Sequence, residues 1–330
     1  SAGDSAMTAA VISKLLAIMA TVGLGYVAAW RGWLGRLDVS GGLQDPARVL
    51  SNTAFYLFVP SLLFRTMERI ELSTLPWHTL AAYFVPAGLF ALAVYTWHRV
   101  RSRGTGADAA TRTVAATYGN AVQLGIPMAS ALFGEAGLAL HIALVSVHGL
   151  VLLTLLTVLV EGDVARADGS ISRADTLRAT LRNTVIHPVV LPVLVGLAWN
   201  MTGLGLHPVL DLTLAGLGSA VVPVCLVLIG VSLATYGVRG GLRGALQVSV
   251  LKLLMLPALV LVVAHWGFGL SGLPLAVLVM MGALPVGSNA IIFAQRYGTL
   301  EGEATVAIVV STVAFMATAT LWLTVLGWMG

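Results

Sequence analysis

Residues 118–134, YGNAVQLGIPMASALFG, lie inside a long apolar stretch yet carry an Asn, a Gln, two glycines and a proline ahead of the closing Phe-Gly. A proline within a helix removes one N–H and clashes with the carbonyl four residues earlier. Glycine beside it lets the chain unwind. In lipid, backbone groups freed in this way are tolerated only where they are buried in protein or line a watery cavity. The stretch therefore predicts a membrane helix that breaks. A second stretch, ALPVGSNA at 283–290, predicts another, because Pro127 follows Gly125 in the first and Pro285 lies between Gly282 and Gly287 in the second.

The rest of the chain supplies the setting. Its 330 residues are 58% hydrophobic and 10% charged, with mean hydropathy +0.93, against roughly 45–50% and about 25% in soluble domains. This composition is that of an all-α polytopic protein integral to a membrane. The opening SAGDSA, residues 1–6, reads as an expression scar. Ten apolar spans follow, at 8–29, 48–67, 77–98, 112–133, 137–160, 184–202, 209–235, 244–266, 273–295 and 304–328, each long enough to cross about 30 Å of hydrocarbon. With nine more behind it, the first reads as a spanning helix and not as a cleaved signal peptide.

Arginine orients the spans, because short cytoplasmic loops hold the excess positive charge. The odd-numbered loops and their flanks carry fourteen arginines, and the even-numbered ones carry only Arg65 and Arg69, beside Glu68 and Glu71. The odd loops are thus expected in the cytoplasm and both termini outside the inner membrane. The high pI follows from this topology and implies no nucleic-acid partner. The lone Cys225 excludes an internal disulfide and a multi-cysteine metal site; in its apolar run it reads as a small buried thiol.

The polar stretch 162–183 divides the spans into five and five. Residues 7–161 and 184–330 then form two repeats joined by a cytoplasmic linker. Gly-Glu-Ala opens the fifth span at 134–136 and the tenth at 302–304, and Leu-Thr-Val-Leu recurs at 156–159 and 323–326. Val-Pro recurs in the second and seventh spans, at 59–60 and 222–223. An odd number of spans per unit inserts the second copy upside down, the inverted-repeat plan of secondary transporters. If the fourth and ninth spans both break near mid-membrane and cross, their half-helix ends bring opposed partial charges together. That place is the candidate binding site. Asn120, Gln123 and Pro127 are spaced i, i+3, i+7, and Pro285, Ser288 and Asn289 are spaced i, i+3, i+4, so each set is expected on one helix face. These amides and hydroxyl orient a carboxylate, with Gly125 and Gly287 as the helix-break glycines; bonding across helix interfaces is the simpler role for such side chains.

Asn120-Ala-Val-Gln-Leu-Gly-Ile-Pro127 followed by Phe-Gly, and Ala283-Leu-Pro285-Val-Gly287 running into Phe293-Ala294-Gln295-Arg296-Tyr297, resemble the auxin efflux carrier family. That family includes the plant PIN exporters and many bacterial organic-anion carriers. LFVPSLLF at 57–64 and LKLLMLP at 251–257 resemble its second and eighth spans. The resemblance implies ten helices in inverted five-helix repeats, a crossover of helices 4 and 9, an elevator-like movement of a transport domain against a scaffold, and in many members a homodimer. Asn120 and Pro127 match the crossover Asn and Pro, and Pro285 the second crossover proline. Val286 stands where PIN exporters usually have Gln, and the long cytoplasmic loop of those exporters is absent. Both differences argue against auxin itself as the substrate.

Few ionisable groups lie within the spans. Glu135, Glu303 and Asp211 fall near span ends and read as solvated caps. His148 lies mid-span, either as a core histidine or with a charge or coupling role. Lys252 lies about two turns inside the eighth span, either snorkelling to the interface or balancing an anion. No GxxxxGK[ST], HExxH or GxSxG motif occurs, so nucleotide-driven pumping, an enzyme and a cofactor are not implied. The leading reading is a secondary transporter or uniporter of small organic anions. Sodium- or proton-coupled symport on the same scaffold, and a ligand-binding sensor without flux, are the alternatives.

Overall fold

A computed structural model describes residues 2–35, 46–71, 73, 75–101, 105–167, 178, 182, 185, 186, 188, 190–236 and 241–329. All regular structure among them is helical. Among the described residues, six helices are long and apolar enough to cross a membrane: α2 (Pro46–Glu68), α3 (Trp77–Arg101), Leu132–Asp163, α8 (Pro208–Thr235), α9 (Leu242–Gly267) and α12 (Glu301–Met329). The third of these joins the end of α5 (Ile126–His148), through Gly149–Leu153, to α6 (Thr154–Ala167). Helix α1 (Ala2–Trp30) begins within the hexapeptide expected to be a scar, and α7 (Val190–Thr202) covers the later part of the sixth expected span. Most of the expected linker 162–183 lies outside the described residues; α6 takes in its first part.

The fourth and ninth expected spans are not continuous helices. The fourth is α4 (Gly106–Thr117), a non-helical Tyr118–Asn120, and the start of α5. The ninth is α10 (Gly272–Ala283), a non-helical 284–288, and α11 (Asn289–Tyr297). At Gly134, with φ 63° and ψ −159°, the chain turns out of the first half of α5 into the following span. Only glycine enters that region without strain.

Three prolines share one local arrangement. Wide π-type turns occupy Ala54–Phe58, Ala121–Gly125 and Leu251–Met255, and each ends two residues before a proline: Pro60, Pro127 and Pro257. The carbonyl four residues before each proline lies inside the wide turn, where it escapes the pyrrolidine ring that would clash with it in a regular helix. The helix then continues.

The helices pack in two groups. In one, α1 lies against α8 and α2 lies against α7 and α8. Backbones touch there: a Cβ on Gly230 would fall 2.0 Å from the Val22 carbonyl oxygen, and one on Gly25 would fall 2.3 Å from that of Val227. Gly196 approaches the Phe64 carbonyl in the same way, at 2.5 Å. Small residues that admit such close approach are the usual means of helix association in lipid. In the other group, α3, α4, α6 and α11 pack together, as do α9, α10 and α12. Its centre is thoroughly buried, with Val277 to Met281, Ala283 and Ala290 to Ala294 all at 2% exposure or less.

Candidate functional site

The two breaks lie side by side. Asn120 N–H donates to the Pro285 carbonyl at 2.9 Å, and Gly287 N–H donates to the Tyr118 carbonyl at 2.9 Å. Gly119 and Val286 thereby form a single antiparallel bridge. Each interruption supplies the hydrogen bonds that the other lacks, which satisfies backbone groups that lipid cannot. Val286 N–H donates to the hydroxyl of Ser311 on α12, at 3.0 Å. The imidazole Nε2 of His141 lies 2.8 Å from the Ala121 carbonyl.

The pairing of the two breaks requires glycine at two points. A Cβ on Gly287 would fall 2.8 Å from the Gly119 oxygen and 3.2 Å from the Tyr118 oxygen. One on Gly119 would meet Leu284 Cβ at 3.1 Å and the Lys252 ammonium at 3.3 Å. Gly125, expected as a helix-break glycine, is the last residue of the wide turn Ala121–Gly125 and is also closely packed. Its Cα faces His141 and Leu284, which an added Cβ would meet at 2.6 and 2.9 Å.

A cavity of about 100 Å³ opens beside the bridge. Tyr118, Asn120, His148, Ser288 and Asn289 form its polar side, and Val59, Leu62, Leu63 and Val222 belong to its apolar wall. Asn120 and Ser288 also border a second, much smaller cavity against α1, α8 and α12. The Asn289 side chain bonds the Tyr118 hydroxyl, and Ser288 meets the Cys225 thiol of α8. The site therefore lies where the two helix groups face one another.

Four expected site residues, Asn120, His148, Ser288 and Asn289, come together in this way. Pro285 and Gly287 supply the bridge. The side chains of Gln123 and Pro127 lie outside those described; in the backbone, Gln123 is in the wide turn and Pro127 in the first turn of α5. The helical faces expected from the spacings do not form. Asn120 has φ −75° and ψ 64°, and Pro285 and Ser288 precede α11, so these residues sit on unwound chain. The two prolines also differ in place: Pro285 is within its break, whereas Pro127 follows the wide turn that leads out of the other.

Lys252 does not snorkel. It is fully buried, and its ammonium group donates to the carbonyl of Gly282 in the last turn of α10, where the helix dipole favours positive charge. Glu303 is not a solvated cap either. Its carboxylate takes two bonds from Arg112 of α4, at 2.7 and 2.9 Å, with 9% of the side chain exposed. Asp211 pairs with Arg65 at 2.8 Å and with Arg69 at 2.5 Å, tying α8 to α2, and Glu135 is exposed, as a cap should be. Cys225 is buried and free, as expected. Tyr118 and Ser311 were missed. Tyr118 carried a signal, being the first residue of the 118–134 stretch; Ser311 sits within a plain apolar helix and carried none.

Known proteins agree with a transport role. A protein of Methanothermobacter thermautotrophicus named "Uncharacterized transporter" is 26% identical over 314 residues, covering 94% of this chain and 97% of its own length. One of Rhizobium meliloti named "Putative malonate transporter" is 25% identical over 285 residues, covering 82% and 84%. A family model described as membrane transport protein matches residues 10–323. Paired breaks in an all-helical apolar chain, and a match over nearly its whole length, lead to one conclusion: the chain belongs to the membrane transport protein family, the auxin efflux carriers whose motifs it resembles.

Proposed function

We propose that the chain is a secondary transporter or uniporter of small organic anions, carboxylates above all, working by alternating access with the substrate at the crossing of its fourth and ninth spans. The observation that carries this reading is the reciprocal pairing of the two breaks beside a cavity lined by Asn120, Ser288 and Asn289. Helix α11 starts at that cavity, and helix N-termini favour anions. The relative named for malonate supports a carboxylate. In this reading the ten spans form two inverted repeats, 7–161 and 184–330, joined by a cytoplasmic linker at 162–183, with both termini outside the inner membrane. Gly119 and Gly287 are separated by the same number of residues as the two Gly-Glu-Ala triplets, which supports the repeat. The group of α1, α2, α7 and α8 is the scaffold, and the other group, carrying the breaks, moves as an elevator.

The test is charge movement in proteoliposomes on solid-supported membranes, with malonate, succinate, acetate and indole-3-acetate, in sodium, in choline and with a pH step. Currents or competition specific to short carboxylates are expected, and their ion dependence assigns Na+, H+ or neither as the coupling ion. Asn120→Ala should weaken malonate binding at least about tenfold, the order of one hydrogen bond to a charged group, while the protein stays monodisperse. Wild-type affinity in that variant would remove Asn120 from the site. The mass of the purified protein decides whether a homodimer forms.

A further inference from the structure

His148 is 1% exposed and lines the cavity, yet neither of its ring nitrogens has a hydrogen-bond partner among the described residues. An imidazole always offers one N–H donor together with a lone pair or a second donor. Leaving both unmatched in a buried place is unfavourable, and native structures rarely do so without a reason. The ring is held by aromatic packing instead. Tyr118 stacks on it at 4.1 Å with 13° between the planes, and Tyr83 and Phe84 of α3 lie at 6.1 and 6.2 Å. Tyr118 is in turn fixed by Asn289 across the crossing. The orientation of His148 is thus set by the same residues that build the cavity, while its nitrogens are left over.

We propose that His148 is a substrate ligand: a ring N–H donates to a carboxylate oxygen of the anion in the cavity, and Tyr118 is the positioning residue that fixes the ring plane. The inference rests on the function proposed above and names a further contact at the same site. Val59, Leu62 and Leu63 also line the cavity and leave room for a short aliphatic chain, so the ligand class is a small aliphatic carboxylate.

The experiment pairs malonate titration calorimetry with thermal unfolding of the ligand-free protein in detergent, for wild type, His148→Leu and His148→Gln. Leu removes two unmatched buried polar atoms, so its ligand-free melting temperature should equal or exceed that of wild type while malonate affinity falls at least about tenfold. Gln keeps an N–H donor and should retain part of the affinity. Malonate bound by His148→Leu as tightly as by wild type would overturn the inference and leave the proposed function standing. A fall in melting temperature together with affinity would make His148 a structural residue, again overturning it. Wild-type protein that binds none of malonate, succinate and acetate would overturn the proposed function, and this inference with it.

Discussion

Arg112 and Glu303 are 191 residues apart in the chain and meet through two hydrogen bonds in a largely buried place. Removing one partner leaves the other charge desolvated and unpaired, which costs more than the pair itself contributes. Glu303→Ala and Arg112→Ala should each destabilise the protein by about 1–3 kcal/mol, and the double variant should lose less than the two losses added together. Thermal unfolding in detergent measures all three; additive losses would mean that the pair is not coupled. Nothing in the local sequence announced this contact. Glu303 follows a Gly at the start of a span, which is where a solvated cap belongs, and only the fold brings α4 to it. Lys252 escaped a firm reading for a similar reason, because its partner is the backbone carbonyl of Gly282 and a carbonyl has no sequence signature.

At the level of elements, the existence of two breaks was legible and their exact location was not. Proline marks where a helix is in difficulty, and a wide turn ahead of it relieves the difficulty without ending the helix, as at Pro60 and Pro257. The first interruption falls at Tyr118–Asn120, seven or more residues before Pro127, because it is fixed by pairing with the second. That pairing is tertiary, so the i, i+3, i+7 spacing read as one helix face is divided between unwound chain at Asn120, the wide turn at Gln123 and α5 at Pro127. The long unbroken spans were legible because hydropathy alone decides them. The crossing depends on Gly287 more than on Gly119. Gly287→Ala drives a Cβ into backbone at 2.8 Å, whereas Gly119→Ala meets side chains at 3.1 and 3.3 Å. Overpacking of this kind costs about 1–3 kcal/mol, so under the proposed function Gly287→Ala should lower carboxylate uptake in proteoliposomes about tenfold, and Gly119→Ala should lower it less. The reverse order would show that the close approach at Gly287 does not limit the carrier.

Across the whole molecule, the two helix groups differ in how they are held. Arg112–Glu303, Arg99–Asp163 and Tyr297–Glu161 lie inside the group that carries the breaks, and Arg65 and Arg69 bind Asp211 inside the other. Between the groups, the guanidinium of Arg296 at the end of α11 lies 5.7 Å from the ring of Phe55 and 5.9 Å from that of Tyr56, both on α2. Cation–π contacts are worth about 0.5–2 kcal/mol, enough to shift a two-state equilibrium by roughly 2–30-fold. In the proposed elevator, Arg296→Ala should therefore shift the balance between the two arrangements by a factor in that range. The same boundary holds Ser288 against Cys225, the only cysteine in the chain. In the proposed elevator, the unmodified protein thus carries its own position sensor. A membrane-permeant maleimide should label this thiol faster in Arg296→Ala than in wild type, and equal rates would mean that the Arg296 contact does not restrain the movement. Because no second thiol competes, every count of label reports on this one boundary, and the proposed stroke can be timed without engineering a single residue into the chain.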